Sequence, residues 1–241
     1  MKITPIASGS SGNCYFVTDG RTRLLLDCGI SADRIKRALW RMGERMASLD
    51  GCFISHAHGD HVKAAQKLAD MGVDVFTSAG TVGAAGLMGH NIHKLEKSED
   101  GRYRGVLIPR KRCAVTPFPV VHDAPEPVGF VVSLDNYERL AYITDTPFLE
   151  YSLPGITHLM IEANYDGGIL AANAEAGLIN EARAKRTASN HMSIDSALSA
   201  ISRLDRTHLK QVWLLHLSND NAGADFKRRV QEATGAEVYI A

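Results

Sequence analysis

The 241 residues include four cysteines, Cys14, Cys28, Cys52 and Cys113, which are widely spaced and form no C-x-x-C pair. This excludes the dense disulfide framework of small secreted domains, and the thiols are expected to be reduced. No stretch reaches about 18 consecutive apolar residues, and the opening MKITPIASGSSGN lacks the apolar core of a signal peptide, so a cytoplasmic protein with no membrane partner is expected. An excess of one charge is also missing. The 27 Lys plus Arg balance 27 Asp plus Glu, so no global field draws nucleic acid or an anionic membrane, and any such contact must be local. No internal repeat is visible. What remains, 45% hydrophobic and 22% charged residues, is the usual globular mixture, and the length suits a single domain over residues 1–241.

Periodicity organises the chain. Tyr15 to Thr18 and Arg23 to Leu26 are β-type runs around Asp19-Gly20, an opening hairpin. Ser31 offers an N-cap, and Ile35, Ala38, Leu39 and Met42 repeat at helical spacing up to Gly43. Cys52-Phe53-Ile54 predicts a short buried strand, Val62 to Met71 a helix stopped by Gly72, and Val73 to Thr77 another strand. Residues 80–112, rich in Gly and Lys, resist assignment. Strands are then expected over Cys113–Val121, Val128–Leu134, Arg139–Thr144 and Thr157–Ala163. A helix over roughly Ala172–Ala184, another from Ser193 and a strand over Val212–Leu217 follow, so that helix and strand close the chain. Two strand-rich halves, each followed by helices, predict two packed sheets with helices outside.

The chemistry concentrates at His56-Ala57-His58-Gly59-Asp60-His61, where strand meets helix. Two histidines two apart on an extended loop can face one ion, while Asp60 and His61 supply an oxygen and a nitrogen to a second. A lone strand-end His or Asp elsewhere usually serves a turn.

The order of such residues along nearly the whole chain resembles the metallo-β-lactamase fold superfamily. The resemblance implies an α+β fold, the αββα four-layer sandwich, and two divalent metal ions. Asp27 in L-L-L-D-C-G would orient ligands from behind. His56, His58 and His122 would hold one ion, Asp60, His61 and His216 the other, with Asp145 shared. Zinc or manganese suits these donors, and iron is acceptable.

Ser8 to Asn13, Glu162 to Asp166, Asn190 to Ser193 and His216 to Asn221 further resemble the YycJ/WalJ-like group, regarded as nucleases. The two late histidines look like those of ribonuclease Z and PhnP-type phosphodiesterases, which implies that His191 meets the reacting phosphate. Asp60, Asp145 and His191 are then the expected catalytic residues, acting on nucleic acid or a small phosphodiester. The ions would acidify a bridging water toward a pKa of about 7 for in-line attack, and His191 would steady the phosphoryl group or protonate the leaving oxygen. Arg183, Lys185 and Arg186 are candidate phosphate contacts, and Asn164 and Asp166 candidate mouth residues, each with a plain surface or turn alternative. Ser8 to Asn13 reads as structural before phosphate-binding. His90 and His93 lack a ligand context. The rivals are a thioester hydrolase like glyoxalase II, a β-lactamase, a persulfide dioxygenase, and a non-catalytic metal-binding regulatory module.

Overall fold

A computed structural model describes residues 1–109 and 111–241. The chain divides into two compact units, residues 1–119 with 124–137, and residues 120–123 with 138–241.

The first unit opens with β1 (Lys2–Ala7), β2 (Cys14–Thr18) and β3 (Arg23–Leu26), an antiparallel run in which the predicted hairpin gains a leading strand. Next come α1 (Ala32–Arg41), β4 (Gly51–Phe53), α2 (Gly59–Val62), α3 (Ala65–Asp70), β5 (Val75–Thr77), α4 (Ala79–Ala85) and β6 (Ile92–Lys94). Strands β3 to β6 pair in parallel, completing a sheet in the order β1-β2-β3-β4-β5-β6. Then β7 (Val106–Leu107), β8 (Cys113–Pro119) and β9 (Val128–Leu134) pair antiparallel. The unassigned stretch thus holds α4, β6, β7 and a bridge between Lys97 and Tyr103.

Local chemistry accounts for these elements. Ser31 accepts from the Arg34 backbone N–H, as an N-cap should, and Ile35 and Leu39 drive α1 into a core with Leu25, Cys52 and Leu68. Phe53 stacks on Phe76 at 4.8 Å between ring centroids and meets Phe130 edge-on at 5.6 Å. The predicted Val62–Met71 helix is two pieces, because the chain turns at Lys63 and Ala64, where Ala64 N donates to Cys28 O. All four cysteines are free and buried, and burial pushes the Cys113 thiol up to about 12.

The second unit contains β10 (Arg139–Ile143), β11 (His158–Glu162), α5 (Gly167–Glu175), α6 (Glu181–Asn190), α7 (Ile194–Ser202), β12 (Gln211–Leu215), α8 (Phe226–Thr234) and β13 (Glu237–Ile240). Its strands pair in parallel in the order β10-β11-β12-β13. The single helix expected over Ala172–Ala184 is corrected to α5 and α6. Gly177, at φ +69°, breaks it, and Asn180 caps the restart by accepting from Arg183 N. Ser193 caps α7 as expected. No helix among the described residues is long and apolar enough to cross a membrane.

Candidate metal centre

In the first unit the donors are organised by Asp27, which follows β3 at φ +56° and is wholly buried. Its Oδ2 accepts from His61 Nδ1 at 2.7 Å and from Ser55 Oγ at 2.9 Å, and its Oδ1 accepts from Ser55 N at 2.7 Å. Because Ser55 gives its only proton to Asp27, its oxygen accepts from His56 Nδ1–H at 3.0 Å. One carboxylate therefore sets the tautomers of His56 and His61, both assigned from this pattern as protonated on Nδ1 with Nε2 facing away. This is the orientation that carboxylates impose on metal-ligating histidines. His56 Nε2 lies 3.2 Å from His58 Nδ1, and His61 Nε2 lies 3.7 Å from Asp60 Oδ2. Asn13 Nδ2 donates to His61 Nε2 at 3.0 Å, which marks that nitrogen as carrying the lone pair.

The turn bearing Asp60 and His61 is sewn to the strand ends. Asn13 N donates to Asp60 O at 2.7 Å and Cys28 N to His61 O at 2.8 Å. Only glycine fits at position 29, where a Cβ would stand 1.6 Å from Asp60 O. The Ser8–Asn13 loop is likewise structural, with Gly9 N donating to Asn13 Oδ1 and Tyr15 OH to Ser8 Oγ.

In the second unit, Asp145 follows β10, Glu162 ends β11 and His216 follows β12, and the parallel register sets all three at the carboxyl edge of adjacent strands. His216 Nδ1 donates to Asp145 Oδ1 at 2.8 Å and lies 3.3 Å from Glu162 Oε1. His191 Nδ1 donates to Glu162 Oε1 at 2.7 Å, while Thr146 N and Met192 N donate to Glu162 Oε2 at 3.2 Å each. His122 donates from Nδ1 to Asn190 O at 3.1 Å and turns Nε2 toward Asp145 Oδ2, 3.7 Å away. Donor atoms of Asp145, Glu162, His191 and His216 all lie within 4.8 Å of one another.

Glu162 is the residue that sequence reasoning missed. Its segment was singled out only for resemblance, yet a carboxylate directly after the apolar run Leu159-Met160-Ile161 is a local sign of a buried charge at a strand end. Burial opposes charge on His191 and His216, but the neighbouring carboxylates outweigh it. His191 is raised above its ordinary value by Glu162 and then Asp145, and His216 reaches about 10 through Asp145 and then Glu162. Two buried carboxylates that raise the proton affinity of two imidazoles supply the field that also favours a divalent cation.

Other candidates fall outside these groups. Asn164 Nδ2 donates to His216 O at 2.7 Å, and Asp166 caps α5 and pairs with Arg229, so both tie the backbone together. Arg186 pairs with Asp123 at 3.1 Å, Lys185 with Glu181 at 3.7 Å, and Arg183 is exposed. His93 pairs with Asp74 at 2.7 Å on the surface, and His90 is exposed.

A family model described as Beta-lactamase superfamily domain matches residues 22–217, a span that takes in every expected ligand. Exodeoxyribonuclease WalJ of Streptococcus pneumoniae is 28% identical over 232 residues, covering 92% of this chain and 83% of that protein. Exodeoxyribonuclease YycJ of Bacillus anthracis is 28% identical over 230 residues, covering 92% and 84%. Among solved structures, the metallo-β-lactamase fold protein YhfI of Bacillus subtilis matches with TM-score 0.71 over 99% of this chain and 95% of that one. At 15% identity this is a likeness of fold, and it is the fold expected from the sequence. The chain belongs to the β-lactamase superfamily domain family.

Proposed function

We propose that the chain is a metal-dependent phosphodiesterase that removes nucleotides from DNA, with two divalent ions, zinc or manganese, as cofactors. His56, His58 and His122 would hold one ion, Asp60, His61 and His216 the other, and Asp145 both. The observation that carries the reading is the His191–Glu162 pair beside Asp145 and His216, since it sets an imidazole of raised proton affinity among candidate metal donors. Similarity to two proteins named exodeoxyribonucleases over 92% of this chain supports DNA as the substrate class.

Bound ions would supply Lewis acidity, polarising a phosphoryl oxygen and acidifying water. The chain's own residues do the rest. Asp27 holds His61 directly and His56 through Ser55, leaving Nε2 of each with the lone pair. Glu162 anchors His191 by Nδ1, leaving Nε2 to carry the proton that the leaving oxygen takes as its bond to phosphorus breaks. Four buried free thiols suit a reducing, cytoplasmic setting.

The test is to load the protein with zinc or manganese and compare hydrolysis of bis(p-nitrophenyl) phosphate, single-stranded DNA and a thioester. Phosphodiester turnover is expected, and thioester turnover without it overturns the assignment. In the same assay His191→Ala should lower kcat by about 10²- to 10⁴-fold, the usual share of a general acid, and keep its metal. Metal lost in step with activity would remove His191 from that role.

A further inference from the structure

The sequence-wide charge balance hides a local imbalance on α1. From Ala32 to Arg45 stand Arg34, Lys36, Arg37, Arg41 and Arg45 against Asp33 and Glu44, and the Glu44 carboxylate is engaged by Arg23 at 2.7 Å. In the middle of this run Trp40 is 77% exposed. Lys36 and Arg37 precede it by four and three residues, so both flank the indole on the solvent face while Ile35 and Leu39 are buried on the other. Beside Trp40 opens a cavity of about 740 Å³, where Lys36, Arg37 and Arg45 outnumber the carboxylates of Asp33 and Glu44, and which Met46 and Met71 also line. The other tryptophan, Trp213, is half-buried and stacks on Tyr239 at 4.5 Å, whereas Trp40 makes no ring contact among the described residues.

We propose that the solvent face of α1 binds single-stranded nucleic acid, with a base stacked on Trp40 and Lys36, Arg37 and Arg45 on the phosphates. An exposed π-face inside a cluster of cations is the combination that holds unpaired strands without regard to sequence. The bases of a duplex are already stacked and offer no such face. A protein partner would want a wider apolar surface, but only Trp40 and Met71 among the lining residues are large exposed hydrophobics. The site lies outside the candidate metal ligands. It deepens the nuclease reading, resting on it for why a strand should be held.

The experiment uses metal-loaded protein and a phosphorothioate oligothymidylate that resists cleavage, followed by Trp fluorescence and anisotropy at several salt concentrations. Bis(p-nitrophenyl) phosphate turnover is measured alongside. Binding should quench Trp40. Trp40→Ala should weaken binding about fivefold or more, the lower end of what one stacked base contributes, and Trp40→Phe should recover part of it. The double variant Lys36→Ala/Arg37→Ala should flatten the dependence of log affinity on log salt by about 1.4, two phosphate contacts on a single strand. These side chains face solvent, and turnover of the small phosphodiester should stay at the wild-type level. Wild-type affinity in Trp40→Ala, an unchanged salt slope in the double variant, preference for duplex, or no oligonucleotide binding would each overturn the proposal. Strand binding without any phosphodiester turnover would instead overturn the nuclease reading and leave this site standing.

Discussion

Asp27 is expected to ligate nothing, yet it governs two of the expected ligands, one directly and one through Ser55. Asp27→Asn preserves size but loses an acceptor, so it should lower metal affinity by about 10- to 100-fold, the usual effect of an orienting carboxylate. Competition with a chromophoric chelator would measure this, and unchanged affinity would remove the orienting role. Glu162 and His191 should behave as one unit. In a double-mutant cycle, Glu162→Gln should cost activity in the wild type and almost none once His191 is alanine. Full additivity would mean that Glu162 acts elsewhere. The His56–His61 run was legible because its donors are adjacent in the chain. Ser55, Asn13 and Glu162 were not, because what each does depends on partners 28, 48 and 29 residues away.

Among the elements, strand β9 and helices α1 and α7 were read closely, because apolar spacing and a Ser cap agree at each helix. The misses have physical causes. Pro5 disguises β1, and the break between α5 and α6 lies in a left-handed glycine within an alanine-rich run that spacing alone reads as continuous. The junction of β3 with α2 leaves no room for a side chain at position 29. Gly29→Ala drives a Cβ into the Asp60 carbonyl, so a loss of stability of about 4 kcal/mol or more is expected, at the far end of what single substitutions do. Chemical denaturation would measure it. A loss near 1 kcal/mol would mean that the turn yields easily.

For the whole molecule, acid is the condition to test. His158, at the start of β11, is buried, and burial lowers its pKa to about 4. Between that value and the unfolded value of about 6.5 the unfolded chain binds the extra proton, so stability rises with pH there. The contribution is complete above the unfolded value and is lost as pH falls toward 4. His158→Asn should flatten the stability profile across this window, and an unchanged slope would exclude His158 as its source. Five residues other than glycine adopt positive φ among the described residues, and three of them are Asp27, Asp145 and His216, all at strand ends. Such backbone costs about 1–2 kcal/mol per residue and persists because side-chain contacts hold it. Alanine scanning would therefore mislead at these positions, since it deletes the clasp and leaves the bent spring. A dead Asp145→Ala protein would report a relaxed loop as readily as a missing donor, whereas asparagine, which tolerates that backbone, would separate the two.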